Sequence, residues 1–191
     1  MALVMTSGPA LEPVTVSEAK AFMRIDGSAE DVLIASLLLT SRLHIETALG
    51  LALITQSWRL TLDEWPRARS LAIPLKPVAA VDAVRVRNAA GVAVTIAALE
   101  YIVDGKGMPP RLVRTGPVWP VPGRSVAGIE IDFTAGYGAT PTDVPEPIRH
   151  AILMLAAHWY EHRDPIEIGR PETRIPAAVS DLLMPFRMKR L

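Results

Sequence analysis

Proline is the residue that most limits what this chain can fold into. There are 17, and they crowd between Pro66 and Pro147. A proline inside a helix removes a backbone donor and collides with the preceding turn. The middle of the chain is therefore predicted to be non-helical, and helices are confined to the two flanks.

The hydrophobic periods agree with that division. Thr15-Val16-Ser17-Glu18 fits a capping box, with a hydroxyl at the N-cap and a carboxylate three residues later. It predicts a short helix from Ser17 to Met23, broken at Asp26-Gly27-Ser28. Ser28 is a candidate cap for a second helix reaching Leu49, with Glu30 and Asp31 in its first turn and Gly50 just past its end. Leu33, Ile34, Leu37, Leu38 and Ile45 cover more than half of its circumference, which predicts burial on more than one side. From Ile54 the period shortens. Ile54–Leu62, Ala83–Arg87, Gly91–Ile96, Tyr101–Val103, Arg111–Arg114 and Ile129–Phe133 read as short antiparallel strands. Helical signals return at Thr142-Asp143, giving one helix from Val144 to about His162 and a last one from Ala177 to about Met184. The expected fold is α+β: a bundle of about four helices (14–54 and 139–191) with an inserted antiparallel β-subdomain (55–138). Residues 1–13, ending at Pro13, are expected to form a flexible arm.

Composition removes several classes of function. The chain has no cysteine, which excludes disulfides, thiolate–zinc sites and cysteine nucleophiles. Its 20 basic residues balance its 20 acidic ones, whereas bulk binding to nucleic acid draws on a basic excess. Met1–Pro13 lacks the pattern of a signal peptide, and no uninterrupted apolar run approaches the ~20 residues of a bilayer span. A soluble protein made in the cytoplasm, with no membrane partner, is expected.

Few residue constellations suggest chemistry. His158-Trp159-Tyr160-Glu161-His162 matches the H-x-x-E-H pattern of inverted zinc proteases, and two histidines four apart share a helix face. A hydrolytic zinc site needs a third protein ligand. The downstream candidates Glu167 and Glu172 lie in a Pro/Gly-rich loop rather than on a further helix. A small metal-dependent hydrolase using His158 and His162 is the alternative reading; two surface histidines near a helix end is the plainer one. Gly105-Lys106-Gly107 and Gly136-Tyr137-Gly138 lack the context of phosphate loops and read as turns. Asp63 and Glu64 read as a solvated turn, and Arg85 and Arg87 as a solvated strand face rather than a DNA stripe. Trp58, Trp65, Trp119 and Trp159 suit core or subunit-contact roles.

An ordered set of segments resembles a known family. Val14-Thr15-Val16-Ser17-Glu18-Ala19-Lys20-Ala21-Phe22-Met23-Arg24-Ile25-Asp26 is similar to the opening of tailed-phage head–tail connector (adaptor) proteins, with Met23 where leucine is usual. Glu30-Asp31 with Leu33-Ile34, the stretch Ala48–Gln56, and Trp58 continue the match. So do Pro147-Ile148-Arg149, His158-Trp159-Tyr160 with Arg163, Ile175-Pro176, and Leu182-Leu183 with Pro185-Phe186-Arg187. The resemblance is to the kind found in long-tailed phages, prophages and gene transfer agents.

That resemblance implies a structural subunit without catalysis or cofactor. Copies would close a ring, twelve-fold when assembled, beneath the portal protein. The ring would extend the channel through which double-stranded DNA passes non-specifically, and would meet a tail-side stopper or tail-completion protein. The site would be the head–tail junction of a particle assembled in the bacterial cytoplasm. The family sends its C-terminal end toward the portal. This makes Phe186, Arg187, Met188, Lys189, Arg190 and Leu191, which mix apolar and basic side chains, the expected docking element.

Overall fold

The computed structural model describes residues 1–162 and 175–187. It is an α+β structure in two compact units. One comprises residues 1–10 and 50–139; the other comprises 11–49 and 140–191.

The first unit holds eight strands: β1 (Ala2–Ser7), β2 (Gln56–Leu62), β3 (Ser70–Ala72), β4 (Val78–Arg87), β5 (Ala93–Thr95), β6 (Tyr101–Asp104), β7 (Arg111–Arg114) and β8 (Ile129–Ala135). They form an antiparallel five-stranded sheet, ordered β1-β2-β8-β4-β5, and an antiparallel three-stranded sheet, ordered β3-β7-β6. β8 lies between β2 and β4, with Ile131 opposite Leu60 on one side and Val84 on the other. Alternation along β8 turns Ile129, Ile131 and Phe133 inward, where all three are fully buried. One apolar cluster joins both sheets, adding Leu71, Ile73, Leu112 and Trp119 to the residues of the large sheet. Trp119 stacks on Trp65 at 4.2 Å between ring centroids.

The expectation of a flexible arm over residues 1–13 is corrected here. Ala2–Ser7 is a strand, registered on β2 from Ala2 opposite Thr61 to Ser7 opposite Ser57. β2 would otherwise be a sheet edge with unpaired backbone groups. The uncharged, partly β-branched run Ala2-Leu3-Val4-Met5-Thr6-Ser7 satisfies them. A single strand at a chain end, without a hairpin partner next to it in sequence, leaves no local signal.

Entry to and exit from the middle segment run side by side. The Thr55 amide donates to the Gly138 carbonyl and the Tyr137 amide to the Leu53 carbonyl, each at 2.9 Å. Gly136, at φ +139°, makes this closeness possible: a Cβ there would stand 2.6 Å from the Thr55 nitrogen.

The second unit contains α1 (Val16–Met23), α2 (Asp31–Leu49), α3 (Glu146–Glu161) and α4 (Ala177–Leu183). The Thr15–Glu18 capping box opens α1 as read from the sequence. α2 begins at Asp31 rather than beside Ser28, because residues 28–31 form a turn in which the Asp31 amide bonds the Ser28 carbonyl. Lys20 then pairs with Asp31 at 2.7 Å. α2 buries Ile34, Leu38, Ile45 and Leu49, while α3 buries Ile148, Ile152 and Leu155. Two arginines tie the unit together. Arg42, 5% exposed, pairs with Glu12 and with Glu46, each at 2.7 Å. Arg149 of α3 donates to the Pro13 carbonyl at 3.0 Å and also pairs with Glu18 of α1.

Gly136→Ala should lower the stability of the protein by about 2–4 kcal/mol, since it adds both a steric overlap and a strained φ. Urea denaturation followed by tryptophan fluorescence would measure this, and an unchanged midpoint would contradict the packing described.

Candidate assembly surfaces

The C-terminal end of the described chain is α4 followed by a 3-10 turn at Met184–Phe186. Val179 and Leu183 are buried, Phe186 is half-buried and Arg187 is exposed. A hollow of about 140 Å³ lies here, lined by His44, Ala48, Leu49, Val179, Leu183 and Arg187 among others. Of the six residues expected to dock the portal, Met188, Lys189, Arg190 and Leu191 lie outside the described residues.

His158, in the last turn of α3, and His162, the residue that ends the helix, lie together, with ring centroids 4.5 Å apart. Burial pushes His158 below the usual histidine pKa, and the neighbouring His162 adds to this; Glu161 opposes both. The His162 ring nitrogen Nδ1 contacts the His158 carbonyl at 2.9 Å. Among the described residues no group of three His, Cys, Asp or Glu side chains is gathered as a metal would require. Glu167 and Glu172 lie outside the described residues.

The outer face of the large sheet is a ladder of charge. Arg59 on β2 holds Asp132 on β8 with two hydrogen bonds, at 2.6 and 3.0 Å. Arg85 on β4 reaches the second oxygen of the same carboxylate at 2.5 Å, and Arg87 pairs with Glu130 at 2.6 Å. Arg85 and Arg87 thus share a face, as their spacing predicts, but each is matched by an acid. The hydrogen bond from Arg59 pulls the Asp132 carboxyl below the usual aspartate range; burial opposes the shift, and Arg85 reinforces it. Phosphate would have to displace these carboxylates, so the ladder reads as cross-strand pairing.

α2 shows an exposed apolar face. The expectation of burial on more than one side fails within the chain: Val32, Leu33, Leu39 and Leu43 are exposed. Periodicity reports how much of a helix is apolar, not how much of it the same subunit covers.

No protein-family model matches the chain, and no curated protein matches it. Solved structures do. A chain in the virion of a native gene transfer agent particle superposes with a TM-score of 0.84 at 30% identity, covering 100% of this chain and 97% of that one. The neck of an empty gene transfer agent particle, computed with C6 symmetry, contains a match with a TM-score of 0.85 at 30% identity and the same coverage. The neck of a native particle, computed with C12 symmetry, contains one at 0.78, again 30% identical over the same spans. This chain belongs to the head–tail connector family found in gene transfer agents. The connector is a structural component of the neck. Its likeness extends through the β-unit, where the sequence resemblance was thinnest.

Two tests follow for the connector. Asp132→Asn should destabilise it by about 1–3 kcal/mol at pH 7, because Arg59 and Arg85 lose their shared counter-charge. The Asp132 pKa is depressed by folding, so its contribution is complete above the unfolded value and is lost as pH falls through the folded one. Wild-type stability should therefore drop below about pH 4, and the variant should drop less; melting curves from pH 3 to 7 check this. Zinc should bind His158 and His162 substoichiometrically, as measured by metal analysis of untagged protein. A stoichiometric ion lost in His158→Ala would revive the hydrolase reading.

Proposed function

We propose that this connector closes as a ring beneath the portal protein, twelve-fold when assembled, extends the DNA channel, and offers its far side to a stopper or tail-completion protein. The carrying observation is the match over the full chain, at 30% identity, to a chain in gene transfer agent necks computed with C12 and C6 symmetry. A ring subunit makes heterologous contacts that close by rotation, and the exposed apolar face of α2 supports that reading. Double-stranded DNA would pass non-specifically. The zero formal net charge and the acid-matched arginines of the outer sheet face suit passage better than grip. The role requires no catalysis and no cofactor. Assembly would take place in the cytoplasm of the producing bacterium.

The C-terminal end is the proposed portal-docking element, from Phe186 and Arg187 onward through Met188, Lys189, Arg190 and Leu191. Apolar anchors beside basic residues gain buried contacts and charge pairs on docking that they lack in water.

A producing strain without this chain should accumulate DNA-filled heads and free tails, visible by electron microscopy, and the full chain supplied in trans should restore tailed particles. Normal particle yield without it would end the proposal. A chain lacking residues 186–191 tests the docking element. With its fold verified by circular dichroism and melting, it should fail to attach to DNA-filled, portal-bearing heads. Attachment equal to that of the full chain would remove the docking role while leaving the ring in place.

A further inference from the structure

A helix at the surface of a lone subunit ordinarily shows water a charged side. α2 does not. Between Val32 and Ala48 its exposed positions carry no Asp, Glu, Lys or Arg. Val32 is 85% exposed, Leu39 41% and Leu43 45%, with alanine, serine and threonine between them. The charged side chains of the helix are committed elsewhere: Asp31 to Lys20, and Arg42 and Glu46 to each other on the buried side. His44 sets its ring edge-on to Trp159, with centroids 5.9 Å apart. The exposed face runs for about 25 Å at the helical rise. It widens at Ala35 into an apolar hollow of about 270 Å³, lined also by Leu11, Val14, Val16 and Leu38. A strip of this length beside a concavity has the form of an interface core: a face to desolvate and a pocket to take an anchoring side chain.

We infer that this face of α2, with the hollow beside it, is where one copy of the connector seats the next copy around the ring. The inference rests on the ring reading above and names the surface that carries it. A related chain occurs in a neck computed with C12 symmetry, an arrangement in which rotation about one axis repeats each copy. Contacts in such a ring are heterologous, so each copy needs two different complementary patches. α2 supplies one. A separate exposed apolar set in the β-unit, including Leu99 at 90% and Ile102, gives the chain material for the other.

Photo-crosslinking tests this inside the assembled particle. Leu39 is replaced by p-benzoylphenylalanine, and particles purified from the producing strain are irradiated. The expected product is an adduct of twice the 20.7 kDa chain mass, in which digestion joins the α2 peptide to a peptide of the same chain outside α2. Three outcomes would overturn the inference while leaving the connector role intact: an adduct with a different protein, an α2–α2 adduct, or no protein adduct in particles that contain the chain. Absence of the chain from particles would instead sink the ring reading together with the inference. Independently, Leu39→Glu combined with Leu43→Glu should leave the free chain folded, with at most a modest loss in melting temperature, since neither side chain is part of the buried core. The same pair should lower the yield of tailed particles at least about tenfold, and a folded double variant that assembles at wild-type yield would also overturn the assignment.

Discussion

The β-unit depends on one strand placed between two others. β8 joins β2 to β4, and its alternation decides what each sheet face becomes. Ile129, Ile131 and Phe133 enter the core, while Glu130 and Asp132 meet the arginines of both neighbours. A slip of one residue would put carboxylates into the apolar cluster and isoleucines onto the charged face. The register is therefore held from both sides, by the cost of burying an unpaired acid and by the gain of burying branched side chains. The close approach at Gly136 then brings the end of β8 back beside the start of β2, so a segment of about ninety residues leaves and returns at one place.

The helical unit meets a different constraint. α1 and α4 have 8 and 7 residues, too short to be stable alone. They hold because the longer helices give them apolar faces and because Arg42 and Arg149 gather the unit's loops and helix ends. A buried guanidinium is costly unless it is fully paired; Arg42, between Glu12 and Glu46, is so paired. Such a pair contributes orientation more than stability, fixing where the segment after β1 meets α2.

Together these features leave paired charges on the outer sheet face and an exposed apolar face on α2. The arginines of the outer sheet face are neutralised by acids of the same face, and the histidine pair at the C-terminal end of α3 gathers no third ligand among the described residues. Many of the apolar side chains that remain outside lie on one face of α2 and on strands and loops of the β-unit. That distribution suits a structural component of a particle neck.

Local signals in the sequence determined the helices and most strands. The Thr15–Glu18 capping box, the proline-rich middle, the alternation of Ile129–Phe133 and the glycine after Leu49 each act over a few residues, and each was legible. The ordered motifs from Val14 to Arg187 likewise made the family legible without any single diagnostic residue. Only the tertiary structure decided the rest. β1 exists because a distant strand offers it an edge, and no property of residues 2–7 announces that partner. Asp132 serves two arginines because β2 and β4 flank it, one 73 and the other 47 positions away in sequence. The apolar circumference of α2 was plain in the sequence, but which side the chain covers and which it leaves exposed was not. Periodicity encodes the chemistry of a face; only the packing of distant segments determines what lies against it.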